Sequence, residues 1–143
     1  MIRELHETDI DRVTEIWLDT NLKTHNFIDK EYWKGNFEMV KEMLPKAEVY
    51  VYEQESTGEI QGFIGMHDNY IEGIFVWSEV QSKGIGKILL DFVKDFKKTL
   101  TLSVYQKNKR AVMFYQRENF KIQSENIDEN TREREYIMTW KYV

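Results

Sequence analysis

Residues 81–87 read QSKGIGK, with Gly84 and Gly86 separated by a single residue. The stretch lies between the apolar run YIEGIFVW at 70–77 and the helical pattern KILLDFVKDFKK at 87–98. A helix that begins here presents unpaired backbone N–H groups and the positive end of its dipole, which together attract phosphate. Glycines remove the Cβ atoms that would hold an anion's oxygens away from those amides, and Lys83 and Lys87 add positive charge. The chemistry on offer is a pyrophosphate cradle. A P-loop needs G-x-x-x-x-G-K-[ST], whereas here the second glycine follows two residues after the first and Ile88 follows the lysine. A dinucleotide fingerprint needs G-x-G-x-x-G, and its third glycine is Leu89 in this chain. Gln81-x-x-Gly84-x-Gly86 is the remaining pattern, beside the plain alternative of a helix opening with two flexible residues.

Downstream, residues 108–120 read NKRAVMFYQRENF, placing Asn108, Ala111, Tyr115 and Phe120 in one short helical pattern and the turn after it. Asn108 suits a helix cap. Tyr115 by itself fits a core residue with its hydroxyl at the rim. The chain has no cysteine, so thiolate nucleophiles, thiolate metal sites and disulfides are excluded. His6, His25 and His67 lack metal-ligand spacing, and no metal is expected.

These groups need a frame. At 143 residues, 41% hydrophobic and 14% aromatic, the chain suits one globular domain. A net charge of −5 argues against a nucleic-acid partner. No apolar run approaches the roughly 20 residues that span a bilayer, and the charged start MIRELHETDIDR does not read as a signal peptide. A cytoplasmic location is the expectation. Residues 2–6 alternate as a strand, and Asp9 is expected to cap a helix facing inward with Ile10, Val13, Ile16 and Trp17. Residues 32–44 read as one helix stopped by Pro45. Strands follow at 48–54, 61–68 and 70–77, the first two joined by a turn at STGE, 56–59. The helix over 84–98 is expected to bury Ile85, Ile88, Leu89, Phe92, Val93 and Phe96. A strand at 99–105, a helix at 109–119, a strand opening at Phe120, a solvated charged loop at 125–136 and a closing strand at 135–143 complete the order. Three consecutive strands predict a meander, and strand–helix–strand at 70–105 predicts a parallel crossover. The fold class is α/β, a mixed sheet with helices on both faces.

The two motifs, in this order and separated by a strand, resemble the GNAT-type N-acetyltransferases. That family carries Gln/Arg-x-x-Gly-x-Gly/Ala after an apolar strand and N-x-x-A-x-x-x-Y-x-x-x-G-F downstream. Asn119 stands where the family has glycine, and asparagine tolerates the left-handed turn that glycine supplies there. The resemblance implies a central sheet of about seven strands splayed in a V. It implies acetyl-CoA as cosubstrate, its pantetheine arm along Ile74, Phe75 and Val76 and its pyrophosphate on the amides of Ser82, Lys83, Gly84, Ile85, Gly86 and Lys87, with Gln81, Asn108 and Tyr115 alongside. Residues 60–120 are then the acyl-CoA core of a single domain spanning 1–143, and 1–45 and 121–143 face the acceptor. By the same resemblance Tyr115 is the general acid that protonates the departing sulfur, and a backbone N–H near Val76 polarises the thioester.

The general base is less constrained. Glu72, placed by alternation on the face of Ile74 and Val76, is one candidate, with a plain solvent-facing residue as the alternative. His25 is a second, with a helix-end cap as its alternative. Phe27, Tyr32, Trp33 and Phe37 either line an acceptor pocket or pack the helices. The activity implied is direct acetyl transfer, without an acyl-cysteine, to an amine of a small molecule or protein, by a monomer or homodimer and with no membrane partner. A non-catalytic acyl-CoA-binding module is the alternative, distinguished by zero turnover with CoA still bound; a nucleotide-binding protein would instead take ATP or NAD.

Overall fold

The computed structural model describes all residues, 1–143. Seven strands form one sheet in the order β1-β2-β3-β4-β5-β7-β6. They are β1 (Ile2–Glu4), β2 (Glu48–Glu53), β3 (Ile60–His67), β4 (Tyr70–Val76), β5 (Thr99–Tyr105), β6 (Lys121–Ile127) and β7 (Arg134–Lys141). β1 to β4 run as an antiparallel meander, and β5 pairs antiparallel with β7 along its whole length. The helices are α1 (Ile10–Thr24), α2 (Lys30–Gly35), α3 (Phe37–Met43), α4 (Ile85–Lys94) and α5 (Lys109–Arg117). α4 and α5 cover one face, where Leu89, Leu90 and Val93 pack on Ile64, Leu100 and Leu102. α1 covers the other, where Val13 and Ile16 meet Val49, Val51 and Phe63. The mixed sheet with helices on both faces is the architecture expected from the sequence.

The parallel pair is where the sheet opens. β4 and β5 are in register only at Tyr70↔Thr101 and Ile71↔Leu102. Beyond Ile71 the strands part, and β4 continues to Val76 with no strand beside it on that edge. Trp77 N–H donates to Gln61 on β3 at 2.9 Å. Since successive residues bond to opposite neighbours, Phe75 and Trp77 serve β3, and the backbone groups of Ile74 and Val76 face the gap.

Four expectations need correction. Asp9 precedes α1 but does not cap it; its carboxylate accepts from His6 N–H at 2.7 Å and pairs with Arg3, also at 2.7 Å. The expected helix at 32–44 is two, because Asn36 donates its amide to Tyr32 C=O at 2.6 Å and competes with the helical ladder; Pro45 then sits inside a 3-10 turn at Leu44–Lys46. α4 buries Ile85, Leu89, Leu90 and Val93, leaving Ile88 and Phe96 exposed. Its apolar arc is wider than the sheet beneath it, and Phe92 and Phe96 lie against Tyr50 at its flank. Finally, half of the expected loop at 125–136 is strand, with only 128–133 left as a turn between β6 and β7. β6 is an edge strand exposed at every residue, so its charges stay hydrated and no alternation marks it.

Candidate active site

A cavity of about 540 Å³ opens where β4 leaves β5. Ile74 and Val76 form one wall, the loop from Gln81 to Lys87 its mouth, and Asn108 and Tyr115 the opposite side. Ser82 and Gly84 both adopt left-handed backbone, φ 67° and 88°, and such turns aim successive N–H groups into one concavity. Gly84 is also the residue from which α4 departs. A Cβ on Gly86 would lie 3.7 Å from the Phe114 ring and 3.9 Å from Ile74, inside the crevice itself. The concavity therefore fits a diphosphate on bare amides, and the free edge of β4 fits an amide-bearing arm.

Gln81 has a bracing part. Its Nε2 donates to Val76 C=O at 3.1 Å, and Thr20 Oγ1 donates to the same oxygen at 3.3 Å. The loop is thus tied to the end of β4, and the Val76 N–H is left to the gap. Phe75 points the other way, stacked on Phe63 at 4.8 Å, so only its backbone belongs to this strand edge. Lys83 and Phe75 do not line the cavity, whereas Ser82, Ile85 and Lys87 do. Glu118 and Asp91 hold Lys87 at 3.0 and 3.1 Å and raise its pKa.

Tyr115 is placed by the end of its own helix. Asn119 has φ 73°; Phe120 N–H donates to Tyr115 C=O at 2.9 Å and Asn119 N–H to Gln116 C=O at 3.1 Å. This is a Schellman ending, whose usual apolar contact is here Phe120 against the Tyr115 ring, 5.5 Å between centroids. Asparagine fills the glycine position as the sequence led one to expect. Tyr115 is 8% exposed, and its hydroxyl lies at the cavity without a protein partner. Burial, and then the nearby Tyr70 phenol, push its pKa up, so it stays protonated at neutral pH.

Asn108 caps α5, its Oδ1 accepting from Ala111 N–H at 3.2 Å. Its Nδ2 lies 3.2 Å from His25 Nε2, while His25 Nδ1 is 2.8 Å from Asn21 Oδ1. Both imidazole nitrogens are occupied. Burial lowers the His25 pKa to about 4, yet no lone pair faces the gap, so the geometry does not present it as a base.

Glu72 also departs from expectation. β3 and β4 shift register so that Gly65 faces Gly73 and Met66 faces Ile71, leaving Glu72 as a bulged extra residue. Its Cβ lies 3.8 Å from where a Gly65 Cβ would stand, on the sheet face of Phe63 and Phe75 rather than that of Ile74 and Val76. It is exposed and outside the cavity. Alternation alone cannot foresee a bulge. Its charge reaches Tyr70, whose pKa is raised by burial first and by Glu72 after it. In the aromatic cluster Trp33 is buried against Trp17, and Phe27 meets Tyr105 edge-on at 5.7 Å.

Thr20 and Thr24 of α1 and Arg110, Phe114 and Arg117 of α5 also line the cavity, and none belongs to the motifs read above. Arg110 and Arg117, seven residues apart, share a helix face, a signal present in the sequence; Arg110 donates to Ser82 Oγ. Thr20 and Thr24 had no signal, since only the packing of α1 on β4 brings them here. No group of three or more His, Cys, Asp or Glu side chains is arranged to hold a metal, and no helix is long and apolar enough to cross a membrane.

Residues 45–122 match the family model described as an acetyltransferase (GNAT) domain. The peptidyl-lysine N-acetyltransferase YiaC of Escherichia coli K12 is 32% identical, over 100% of this chain and 98% of its own. The peptidyl-lysine N-acetyltransferase YjaB of the same strain is 26% identical over 85% of this chain and 82% of its own. Among solved structures, apo YjaB from Escherichia coli superposes with a TM-score of 0.88 at 23% identity, covering 100% of this chain and 98% of that one. The PaiA N-acetyltransferase of Thermoplasma acidophilum, solved with coenzyme A, gives 0.82 at 23% identity, over 99% and 98%. With a relative alike from end to end and a family match across the glycine loop and the Tyr115 helix, the chain belongs to the GNAT family of acetyl-CoA-dependent N-acetyltransferases.

Proposed function

We propose that the protein acetylates the side-chain amine of lysine residues in other proteins, with residues 60–120 holding most of the acetyl-CoA and 1–45 and 121–143 facing the acceptor. The observation that carries the site assignment is the buried Tyr115 side chain lining the cavity formed by the β4 edge and the glycine loop. The lysine acceptor rests on YiaC and YjaB, both named peptidyl-lysine N-acetyltransferases.

Acetyl-CoA supplies an activated thioester. The nest at Ser82–Gly86 and the cations of Lys87, Arg110 and Arg117 bind its phosphates, while the free backbone groups of Ile74 pair with the pantetheine amides. The Val76 N–H donates to the thioester oxygen as negative charge develops there. Thr20 and Gln81 hold the Val76 carbonyl, which keeps that peptide plane oriented. Tyr115 gives its proton to the departing sulfur. The proton shed by the attacking amine passes to water or to the Glu72 carboxylate on the far face of the sheet.

The test is mass spectrometry of lysine-bearing peptides incubated with acetyl-CoA, alongside free polyamines and N-terminal amines. Acetyl-lysine with coupled thiol release is expected. Acetylation confined to small amines or to α-amino groups would overturn the acceptor assignment.

A further inference from the structure

One imidazole joins the two halves of the cleft. His25 follows the last residue of α1, and Asn108 caps α5 on the other side. Backbone partners fix the orientation of both flanking amides. Asn21 Nδ2 donates to Trp17 C=O at 3.0 Å, which turns Asn21 Oδ1 toward His25. Asn108 Oδ1 accepts from Ala111 N–H, which turns its Nδ2 toward the ring. An amide oxygen only accepts and an amide nitrogen only donates, so the ring carries its proton on Nδ1 and a lone pair on Nε2. The ring lies over Trp33 with centroids 5.6 Å apart and meets Tyr105 at 5.1 Å. Tyr105 in turn donates to Asp128 Oδ2 at 2.7 Å, in the turn between β6 and β7.

We infer that His25 is a positioning residue: as the Nδ1–H tautomer it locks the acceptor-facing segment 25–33 and the β6–β7 turn to the cap of the helix that carries Tyr115. The wall against which an acceptor lies and the phenol that completes the transfer then keep one spacing. This rests on the acetyltransferase reading of the cavity. Removing the Nε2 acceptor frees the Asn108 amide, loosens the first turn of α5 and lets the two walls shift independently.

The test compares His25→Leu, which makes neither contact, with His25→Gln, whose Oε1 reaches the Nε2 position and accepts from Asn108. His25→Leu should lose about tenfold in kcat/KM for acetyl-CoA, the worth of one to two net hydrogen bonds, and His25→Gln should restore most of it at the same Tm as His25→Leu. Activity that simply follows Tm in both variants, or a His25→Leu enzyme at full kcat/KM, would overturn the positioning role. Nitrogen-15 NMR of the wild type reads the tautomer without any acceptor. A proton on Nδ1, a bare Nε2 and a response of both to added CoA support the strut; a proton on Nε2 sinks it. If the wild type acetylates nothing but its His25 signals obey this pattern, the enzyme reading fails and the strut stands.

Discussion

Tyr115 combines two properties that water would keep apart. Its ring is packed between Phe114 and Phe120, and its hydroxyl has no protein acceptor, so its proton is held until a strong base forms beside it. Tyr115→Phe keeps the packing and removes the proton, and should lower kcat by ~10²-fold, within the range of general acid catalysis, with CoA affinity nearly unchanged by calorimetry; an unaltered kcat would remove its role. His25 has a different readout. Its folded pKa of about 4 lies below the ordinary 6.5, so between those values the unfolded chain binds more protons. The stability His25 contributes is therefore full above pH 6.5 and is lost as the pH falls toward about 4. The stability gap between the wild type and His25→Gln should narrow over that window in denaturant titrations, and a gap independent of pH would show that the ring titrates as if in water.

The elements position these groups through their ends. α5 begins at the Asn108 cap and stops at the left-handed Asn119, and that stop brings Phe120 onto the Tyr115 ring. Asn119→Ala should cost about 1–2 kcal/mol, the strain of a left-handed residue with an ordinary Cβ, whereas Asn119→Gly should leave urea stability within a few tenths of a kcal/mol or raise it. Equal effects of the two would mean that the turn is not under backbone strain. α4 begins in the nest at Ser82–Gly84. Gly86→Glu inserts a side chain and a negative charge into the crevice beside Ile74 and Phe114. The variant should fold with native circular dichroism and lose CoA binding.

At the scale of the whole molecule, the cavity exists because β4 and β5 are paired only at Tyr70 and Ile71 and are open from there to Val76. CoA filling that opening acts as a ligand of the folded state alone. At 100-fold over its Kd it should raise stability by about 2.7 kcal/mol, and thermal melts of wild type and Gly86→Glu with and without CoA will show whether the gain vanishes in the variant. The glycine loop, the Asn108 cap and the Asn119 turn were all legible in the sequence, because each is a local backbone requirement written in neighbouring residues. So was the α/β order of elements, from hydrophobic periods. The sequence was silent or misleading where a side chain's surroundings come from distant segments. Glu72 changes face through a bulge against β3, His25 is closed by Asn21 and Asn108, Thr20 and Thr24 reach the cavity only by the packing of α1, and β6 has too little burial to leave a pattern. Local chemistry is set by what each residue is and what stands beside it in the chain; a face, a partner or a free lone pair is decided only when separate elements pack together.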